Sequence, residues 1–287
     1  MAQNTFMPQP RRKLGWLHVL WVGFVLFVVT TIVLVFTDNP NLYPTVIMIG
    51  NFLIPVVFVV FLYDHQHLSS LTPEIITKSF VVGGVLGVLG ASVLEGLLLP
   101  VISGPGQNQG LSLTGGIVVG LIEEGCKLLV VMFLARRMKH TEAIDGLLLG
   151  AAVGMGFAAL ESTGYAFTTF LSSQGHVGAS LFTTVLRGLF APFGHGVWTA
   201  IVSAVLFRQS APNRFRITGL VIFAYLFVSL LHGLWDGLPN TIYLIIPPGI
   251  PIPLISLAIG FIGIIVLTVQ YRRARTLRSP LPPFIQP

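Results

Sequence analysis

Long apolar runs separated by short polar loops dominate the pattern of this 287-residue chain. Each run is close to the roughly 20 residues that an α-helix needs to cross a bilayer. The runs are too long and too evenly apolar for the strands of a membrane barrel, so they predict helices. The pattern therefore predicts an all-α, polytopic membrane protein, a bundle of about eight transmembrane helices. The predicted spans are residues 14–37, 43–63, 79–102, 114–135, 143–170, 180–207, 217–238 and 252–270.

The same pattern predicts one transmembrane bundle over residues 14–270, between polar tails at 1–13 and 271–287. The first tail resembles the start of a signal peptide. The apolar run after it is longer than the roughly 7–15 residues of a signal-peptide core, so we expect the run to be retained as a span. Four prolines between positions 247 and 253 interrupt the last apolar stretch. We expect an interfacial loop or a broken helix end there.

Composition and charge support a membrane location and indicate its orientation. Hydrophobic residues make up 54% of the chain and charged residues only 9%, against about 25% charged in a soluble domain. Fourteen of the 16 Lys and Arg residues lie in the two tails and in alternate loops. By the positive-inside rule, this predicts a multi-pass protein of the cell membrane with both termini cytoplasmic. The net charge of +6 then reflects orientation in the lipid bilayer, and no nucleic acid partner is expected.

Ionisable side chains inside the spans are concentrated in four consecutive helices, the fourth to the seventh. An isolated charge at a helix centre costs about 2.5–3.5 kcal/mol, so these groups must face one another or a wet cavity. We expect one site near mid-membrane that opens away from the cytoplasm. Its candidate residues are Glu123, Glu124, Lys127, Glu161, Arg187, His195, His232 and Asp236. Glu95 and His18 are expected to lie at the membrane interface, and Asp145 in the first turn of its helix.

Helical spacing supports this convergence. Lys127 lies four residues after Glu123 and three after Glu124, so it can neutralise one of the two carboxylates. Glycines at four-residue steps precede Glu124 in the fourth span and Glu161 in the fifth. Such small-residue faces let helices approach closely, so both carboxylate faces are predicted to be packed inside the bundle. These glycines are Gly116 and Gly120, and Gly146, Gly150 and Gly154.

Two kinds of hydrolytic chemistry are compatible with two adjacent glutamates and two histidines. Two carboxyl groups buried together cannot easily both be ionised, so one of them is suited to take a proton from water. The histidines would then stabilise an oxyanion. Alternatively, Glu161, His195 and His232 would bind a divalent cation such as zinc and leave one position open. The single cysteine excludes a cysteine-rich zinc site, and the H-E-x-x-H zinc-protease motif is absent.

Two non-hydrolytic hypotheses also use these residues. A proton- or ion-coupled transporter would employ the same buried carboxylates as a relay. However, the chain has no inverted repeat of the kind that many transporters show. A non-catalytic membrane scaffold would retain the charged groups only for contacts between helices.

Four ordered motifs resemble those of the PrsW family of intramembrane proteases. Glu123-Glu124-Gly125-Cys126-Lys127 resembles the E-E-x-x-K motif of this family. The segment from Asp145-Gly146 to Glu161 is similar to its D-G…G-F-x-x-x-E pattern. Arg187 followed by His195 resembles its arginine-then-histidine helix, and His232-Gly233-Leu234-Trp235-Asp236 its final H-G-x-x-D motif. The resemblance covers roughly residues 114–238, and the family belongs to a wider group with the CAAX prenyl endopeptidases.

The resemblance implies peptide-bond hydrolysis within the membrane. It implies a membrane protein as substrate, with a single-span anti-sigma factor as one such partner. No cofactor is required if the protein is a glutamate-type protease, whereas a metalloprotease would require a zinc ion.

Residue roles follow from the resemblance together with the chemistry. Glu123 or Glu124 is expected to be the general base. Glu161 is expected to be a second acid–base group or ligand. His195 and His232 are expected to be oxyanion donors or ligands. The supporting residues are Lys127, Arg187, Asp236 and Ser162, and Ser162 stands where the family usually has asparagine.

Overall fold

A computed structural model describes residues 15–64, 69–103, 111–138, 142–212, 214–238, 243–246 and 250–276. Within these ranges the chain forms eight α-helices, in the predicted order. They are α1 (Gly15–Thr37), α2 (Tyr43–Asp64), α3 (Pro73–Ser103), α4 (Leu113–Ala135), α5 (Ala143–Ser172), α6 (Val177–Gln209), α7 (Gly219–Gly237) and α8 (Leu254–Thr276). A short 3-10 helix, Pro40–Leu42, precedes α2, and a hairpin of β1 (Tyr243–Ile246) and β2 (Ile250–Pro253) connects α7 to α8.

Seven of these helices are long and apolar enough to cross a membrane, which confirms the polytopic all-α fold. The other, α4, has 23 residues and is about 35 Å long at 1.5 Å per residue. It differs because Glu123, Glu124 and Lys127 lie near its middle. All three side chains are buried, and α4 packs against α3 and α7. The charges of α4 therefore face protein, which removes most of the cost of placing them at membrane depth.

The structure corrects two boundaries. Helix α3 begins at Pro73, before the predicted residue 79, because Thr72 accepts the backbone N–H groups of Ile75 and Ile76 and starts the helix in a polar turn. Helix α8 continues to Thr276, so the start of the predicted tail 271–287 is helical. Residues 1–13 and the rest of that second tail lie outside the described residues.

The proline-rich piece after α7 is also corrected. It was expected to be an interfacial loop or a broken helix end, but β1 and β2 pair as antiparallel strands from Tyr243 opposite Pro253 to Ile246 opposite Ile250. Pro251 and Pro253 disfavour a helix there and are compatible with an edge strand.

Helices α5 and α6 form the centre of the bundle and bury most of their length. Helices α2 and α3 pack on α5, α8 packs on α6, and α4 and α7 form a close pair beside them. Helix α1 packs mainly on α2 and buries only Leu34. The four helices that carry the candidate site residues are therefore the central pair, α5 and α6, and the α4–α7 pair beside it.

Asp145 links the start of α5 by hydrogen bonds to the segment before α3. Its Oδ1 accepts hydrogen bonds from the Ser70 backbone N–H, at 3.0 Å, and from the Ser69 hydroxyl, at 2.5 Å. Its Oδ2 accepts one from the Ser70 hydroxyl at 2.5 Å. The residue lies in the first turn, as predicted. It precedes Glu161 by sixteen positions, or about 24 Å along the helix, so its role is to hold the fold.

We expect Asp145→Ala to lower the free energy of unfolding by about 2–4 kcal/mol, because three donors lose a buried charged acceptor. Thermal unfolding in detergent micelles measures this change. Asp64→Ala is the matched control, since Asp64 accepts one 3.2 Å bond, from the Trp16 N–H, at a partly exposed position. Equal stability of the two variants would contradict the assignment.

Candidate active site

A cavity of about 580 Å³ lies among α3, α4, α5, α6 and α7. Its lining residues come from the last parts of α3, α5 and α7 and the first parts of α4 and α6. It therefore lies toward one end of the bundle, the end that the charge pattern predicts to face away from the cytoplasm. Five charged side chains line it, namely Glu95, Glu123, Glu161, Arg187 and Asp236.

A close contact between α4 and α7 sets the position of Glu124. A Cβ atom at Gly120 would collide with the backbone carbonyl oxygen of Ser229 on α7. One turn later on α4, Glu124 Oε1 lies 3.0 Å from His232 Nδ1. The predicted small-residue face of α4 is confirmed, and it brings a carboxylate within hydrogen-bonding distance of an imidazole on another helix.

A second close contact, between α5 and α6, sets the position of His195. A Cβ atom at Gly154 would collide with the carbonyl oxygen of His195. Two turns further along α5, Glu161 Oε2 lies 3.0 Å from His195 Nε2. The predicted small-residue face of α5 is confirmed in the same way.

We expect Gly154→Ala to destabilise the protein by about 1–3 kcal/mol and to impair the site, because the added methyl group forces α5 and α6 apart. Gly164→Ala, on the same helix, is the matched control for stability, since a Cβ there meets nothing within 4 Å. Thermal unfolding of both variants in detergent makes the comparison. A Gly154→Ala variant as stable as the Gly164→Ala variant would refute the packing argument.

The Lys127 ammonium group is at the centre of the buried cluster. Its Nζ lies 2.7 Å from Glu124 Oε1, 3.2 Å from Glu123 Oε2 and 2.8 Å from His195 Nδ1. The Phe157 ring covers it, with the ring centroid 4.1 Å away. The side chain has no exposed surface, so this cation is held entirely by protein groups.

Glu124 and Glu123 differ sharply in their surroundings. Glu124 is fully buried, and beyond its contacts with Lys127 and His232 its Oε2 accepts a hydrogen bond from Thr199 Oγ1 at 3.2 Å. Glu123 is 4% exposed and lines the cavity. Its Oε2 is ion-paired with Lys127 at 3.2 Å but accepts no well-aligned hydrogen bond among the described residues. Because Glu123 lines the cavity and Glu124 does not, the Glu123 carboxylate is the one that can receive a hydrogen bond from a molecule there.

The two histidines also differ in what their ring nitrogens face. An ammonium group can only donate, so His195 Nδ1 accepts from Lys127 and Nε2 carries the proton and donates to Glu161. His232 faces carboxylate oxygens on both sides. Besides the contact with Glu124, its Nε2 lies 3.2 Å from Asp236 Oδ2 and 3.5 Å from Glu123 Oε2. A doubly protonated His232 can therefore donate from both nitrogens.

Glu161 is held by an ion pair across the cavity wall. Arg187 Nη2 donates to its Oε2 at 2.7 Å, and the Arg187 guanidinium lies 3.8 Å from the Tyr165 ring centroid. The Arg187 Nε group is buried without a hydrogen-bond partner among the described residues. Arg187, a supporting residue in the sequence-based prediction, is thus paired with a glutamate in the structure.

Comparison with known proteins adds to this geometry. The model of the PrsW family intramembrane metalloproteases matches residues 72–269. The chain belongs to the PrsW family. Its motif-bearing region and its cavity lie inside the matched range, and the resemblance read from the four motifs is confirmed.

Two curated PrsW relatives are similar over part of their length. Protease PrsW of Clostridioides difficile is 27% identical over 161 residues, covering 55% of this chain and 64% of that protein. Protease PrsW of Halalkalibacterium halodurans is 25% identical over 179 residues, covering 62% of this chain and 76% of that protein. The chain thus spans slightly less than two thirds of the first relative. No solved structure matches it significantly.

Because the PrsW family is described as metalloproteases, the clustered residues can be compared with the requirements of a metal site. Glu123, His195 and His232 each offer one ligand atom, all within 4.8 Å of one another. This group contains Glu123 in place of the predicted ligand Glu161, which is paired with Arg187. Both nitrogens of His195 are engaged, and the Lys127 ammonium lies beside two of the three residues. As arranged, the cluster fits an internal ammonium cation, and a divalent ion would first have to displace Lys127.

The predicted site residues meet in one cluster, with the exception of Ser162. It is buried, and its hydroxyl has no hydrogen-bond partner among the described residues. The sequence reasoning missed Thr199, which lies one turn after His195 on α6 and bonds Glu124. It also missed Trp198, whose ring lies 4.8 Å from that of His232 between centroids. The helical spacing from His195 could have indicated Thr199.

Proposed function

We propose that this protein is an intramembrane endopeptidase that hydrolyses a peptide bond of a membrane protein substrate. Membership of the PrsW family supports the reaction class. The observation that carries the proposal is the Glu123 carboxylate, which lines a cavity inside the membrane domain and lies 3.2 Å from Lys127 Nζ and 3.5 Å from His232 Nε2. That cavity is within the range of about 300–1,000 Å³ typical of ligand sites.

In the proposed mechanism Glu123 is the general base. A water molecule in the cavity donates a hydrogen bond to the Glu123 carboxylate, and the carboxylate takes its proton as the water oxygen attacks the peptide carbonyl carbon. A tetrahedral oxyanion results. Collapse of this intermediate breaks the C–N bond, and Glu123 returns the proton to the leaving amine nitrogen.

His232 is the proposed donor to the oxyanion. Its Nε2 is buried and lies 3.5 Å from Glu123 Oε2 and 3.2 Å from Asp236 Oδ2, and it makes no well-aligned hydrogen bond among the described residues. The contact of Nδ1 with Glu124 fixes the ring orientation, and Asp236 favours a proton on Nε2. A donor fixed in a water-poor site needs no reorganisation when charge develops.

The remaining polar residues take positioning roles in this proposal. Lys127 holds Glu123, Glu124 and His195 together, and Arg187 holds Glu161, which in turn binds His195 Nε2. Because Lys127 provides the positive charge of the cluster, no metal ion takes part in any step. By the resemblance to PrsW proteases, we extend the proposal to a single-span, anti-sigma-factor-like substrate. We also propose cytoplasmic termini, with cleavage toward the opposite side.

Reconstitution with a library of single-span peptides tests the function. We expect cleavage by the wild type and a loss of about 100-fold or more with His232→Ala, since the oxyanion donor is removed. His18→Ala is the matched control, because His18 is an exposed residue of α1 far from the cavity in the fold, and it should cleave normally. Proton flux without cleavage would contradict the proposal and favour a transporter.

A chelator provides a second arm of the same experiment. Cleavage is expected to persist after treatment with a chelator, because Lys127 occupies the position between the carboxylates and His195. Loss of activity with a chelator and its restoration by zinc would overturn the metal-free mechanism while leaving the endopeptidase function in place.

A further inference from the structure

Glu95 of α3 lines the cavity, although its position in the sequence indicated an interfacial residue. It shares the wall with Glu123, Glu161 and Asp236. Its Oε1 is buried and has no hydrogen-bond partner among the described residues. A carboxylate oxygen in this state lacks the partner that buried polar groups normally have.

The charges of the cavity wall do not balance. The wall carries four carboxylates but one cation, Arg187, and that cation is bound to Glu161 at 2.7 Å. Two of the other carboxylates are close to basic groups that do not line the cavity. Lys127 is 3.2 Å from Glu123, and His232 is 3.2 Å from Asp236. Among the described residues, Glu95 has no such ion pair.

Glu123 is the second carboxylate of this part of the wall. It is 4% exposed, and although its Oε2 is ion-paired with Lys127 at 3.2 Å, it accepts no well-aligned hydrogen bond among the described residues. The cavity wall thus carries two carboxylates that can accept hydrogen bonds from a bound molecule. Apolar side chains of Val88, Leu99 and Leu160 line the space beside them. This combination suits a side chain with an aliphatic stem and a cationic end.

We propose that Glu95 determines substrate specificity by binding a Lys or Arg side chain of the substrate close to the bond that is cut. The inference rests on the proposed endopeptidase function and adds to it a class of substrate. The ammonium or guanidinium group supplies the cation that the wall lacks and donates to Glu95. Cleavage of the adjacent peptide bond then takes place at Glu123.

Two single-span peptides that differ only in Lys or Gln beside the cut position test this assignment. For the wild type we expect kcat/KM to be about 10- to 100-fold higher for the Lys peptide, the usual range for a charged hydrogen bond. Glu95→Gln should reduce this ratio to near one. Glu95→Lys should favour a third peptide, with Glu at that position. Glu74→Gln is the matched control, an exposed carboxylate of the same helix, and should leave the ratio unchanged.

Binding of fluorescent versions of these peptides in detergent micelles, followed by anisotropy, separates the two proposals. Tighter binding of the Lys peptide that depends on Glu95 supports the specificity role even if no peptide is cut, a result that would contradict the endopeptidase function alone. Equal binding and equal cleavage of the Lys and Gln peptides would overturn the role of Glu95 and leave the endopeptidase function standing.

Discussion

Glu123→Gln is expected to lower kcat/KM by about 100- to 10,000-fold with little change in stability, because the amide cannot take a proton from water. The fold should persist, since Glu124 remains bound to Lys127, His232 and Thr199. Single-turnover cleavage of a reconstituted peptide and thermal unfolding of the same preparation give the two measurements.

Glu124→Gln is the matched control for that substitution. Glu124 is fully buried and does not line the cavity, so its replacement should reduce stability as well as activity. If Glu123→Gln cleaved normally and Glu124→Gln were stable but inactive, the assignment of the two carboxylates would be reversed.

Lys127→Met is expected to lower the free energy of unfolding by about 3–5 kcal/mol and to abolish cleavage, because it leaves buried carboxylates without their cation. Combining it with Glu124→Gln should recover part of the stability, since one uncompensated charge is then removed. Chemical or thermal unfolding in micelles, arranged as a double-variant cycle, measures the coupling between the two residues.

Lys78→Met is the control for the loss of a lysine. Lys78 is an exposed residue near the start of α3, and its replacement should change stability by less than about 0.5 kcal/mol. A Lys127→Met variant as stable as Lys78→Met would show that the ammonium is not the group that neutralises the cluster.

The positions of the helices and the set of charged residues were predictable from the sequence for simple reasons. Hydrocarbon requires long apolar runs, so the spans are visible in the pattern. Burying charge at membrane depth is costly, so Glu123, Glu161 and His232 could be predicted to lie close together. The four-residue spacing of Lys127 from Glu123 is a local property of one helix and also needed no tertiary information.

The different roles of the individual residues within the site were not predictable. Adjacent residues on a helix point about 100° apart, and nothing in the local sequence tells which of Glu123 and Glu124 faces a cavity. That depends on α7 and on Thr199, which is 75 positions from Glu124. Glu95 was expected at the membrane interface for the same reason: it is the only ionisable residue in the second half of α3, and the charged residues that share its cavity come from α4, α5, α6 and α7.

The concentration of charge on α4 has a consequence for how the protein is made. Lys127 can pair with one of the two glutamates within α4, but three ionisable groups near the middle of the helix remain costly in lipid, so α4 should not be stable in the bilayer by itself. The glycine-lined face of α4 packs against α7, which is synthesised later. Helix α4 ends at Ala135, whereas α7 begins at Gly219. At about 5–20 residues per second, the ribosome needs roughly 4–17 s to supply that partner. During this interval the nascent α4 must remain in contact with α3, the insertion machinery or a chaperone. Membrane insertion is therefore the step at which this protein is most exposed to misfolding.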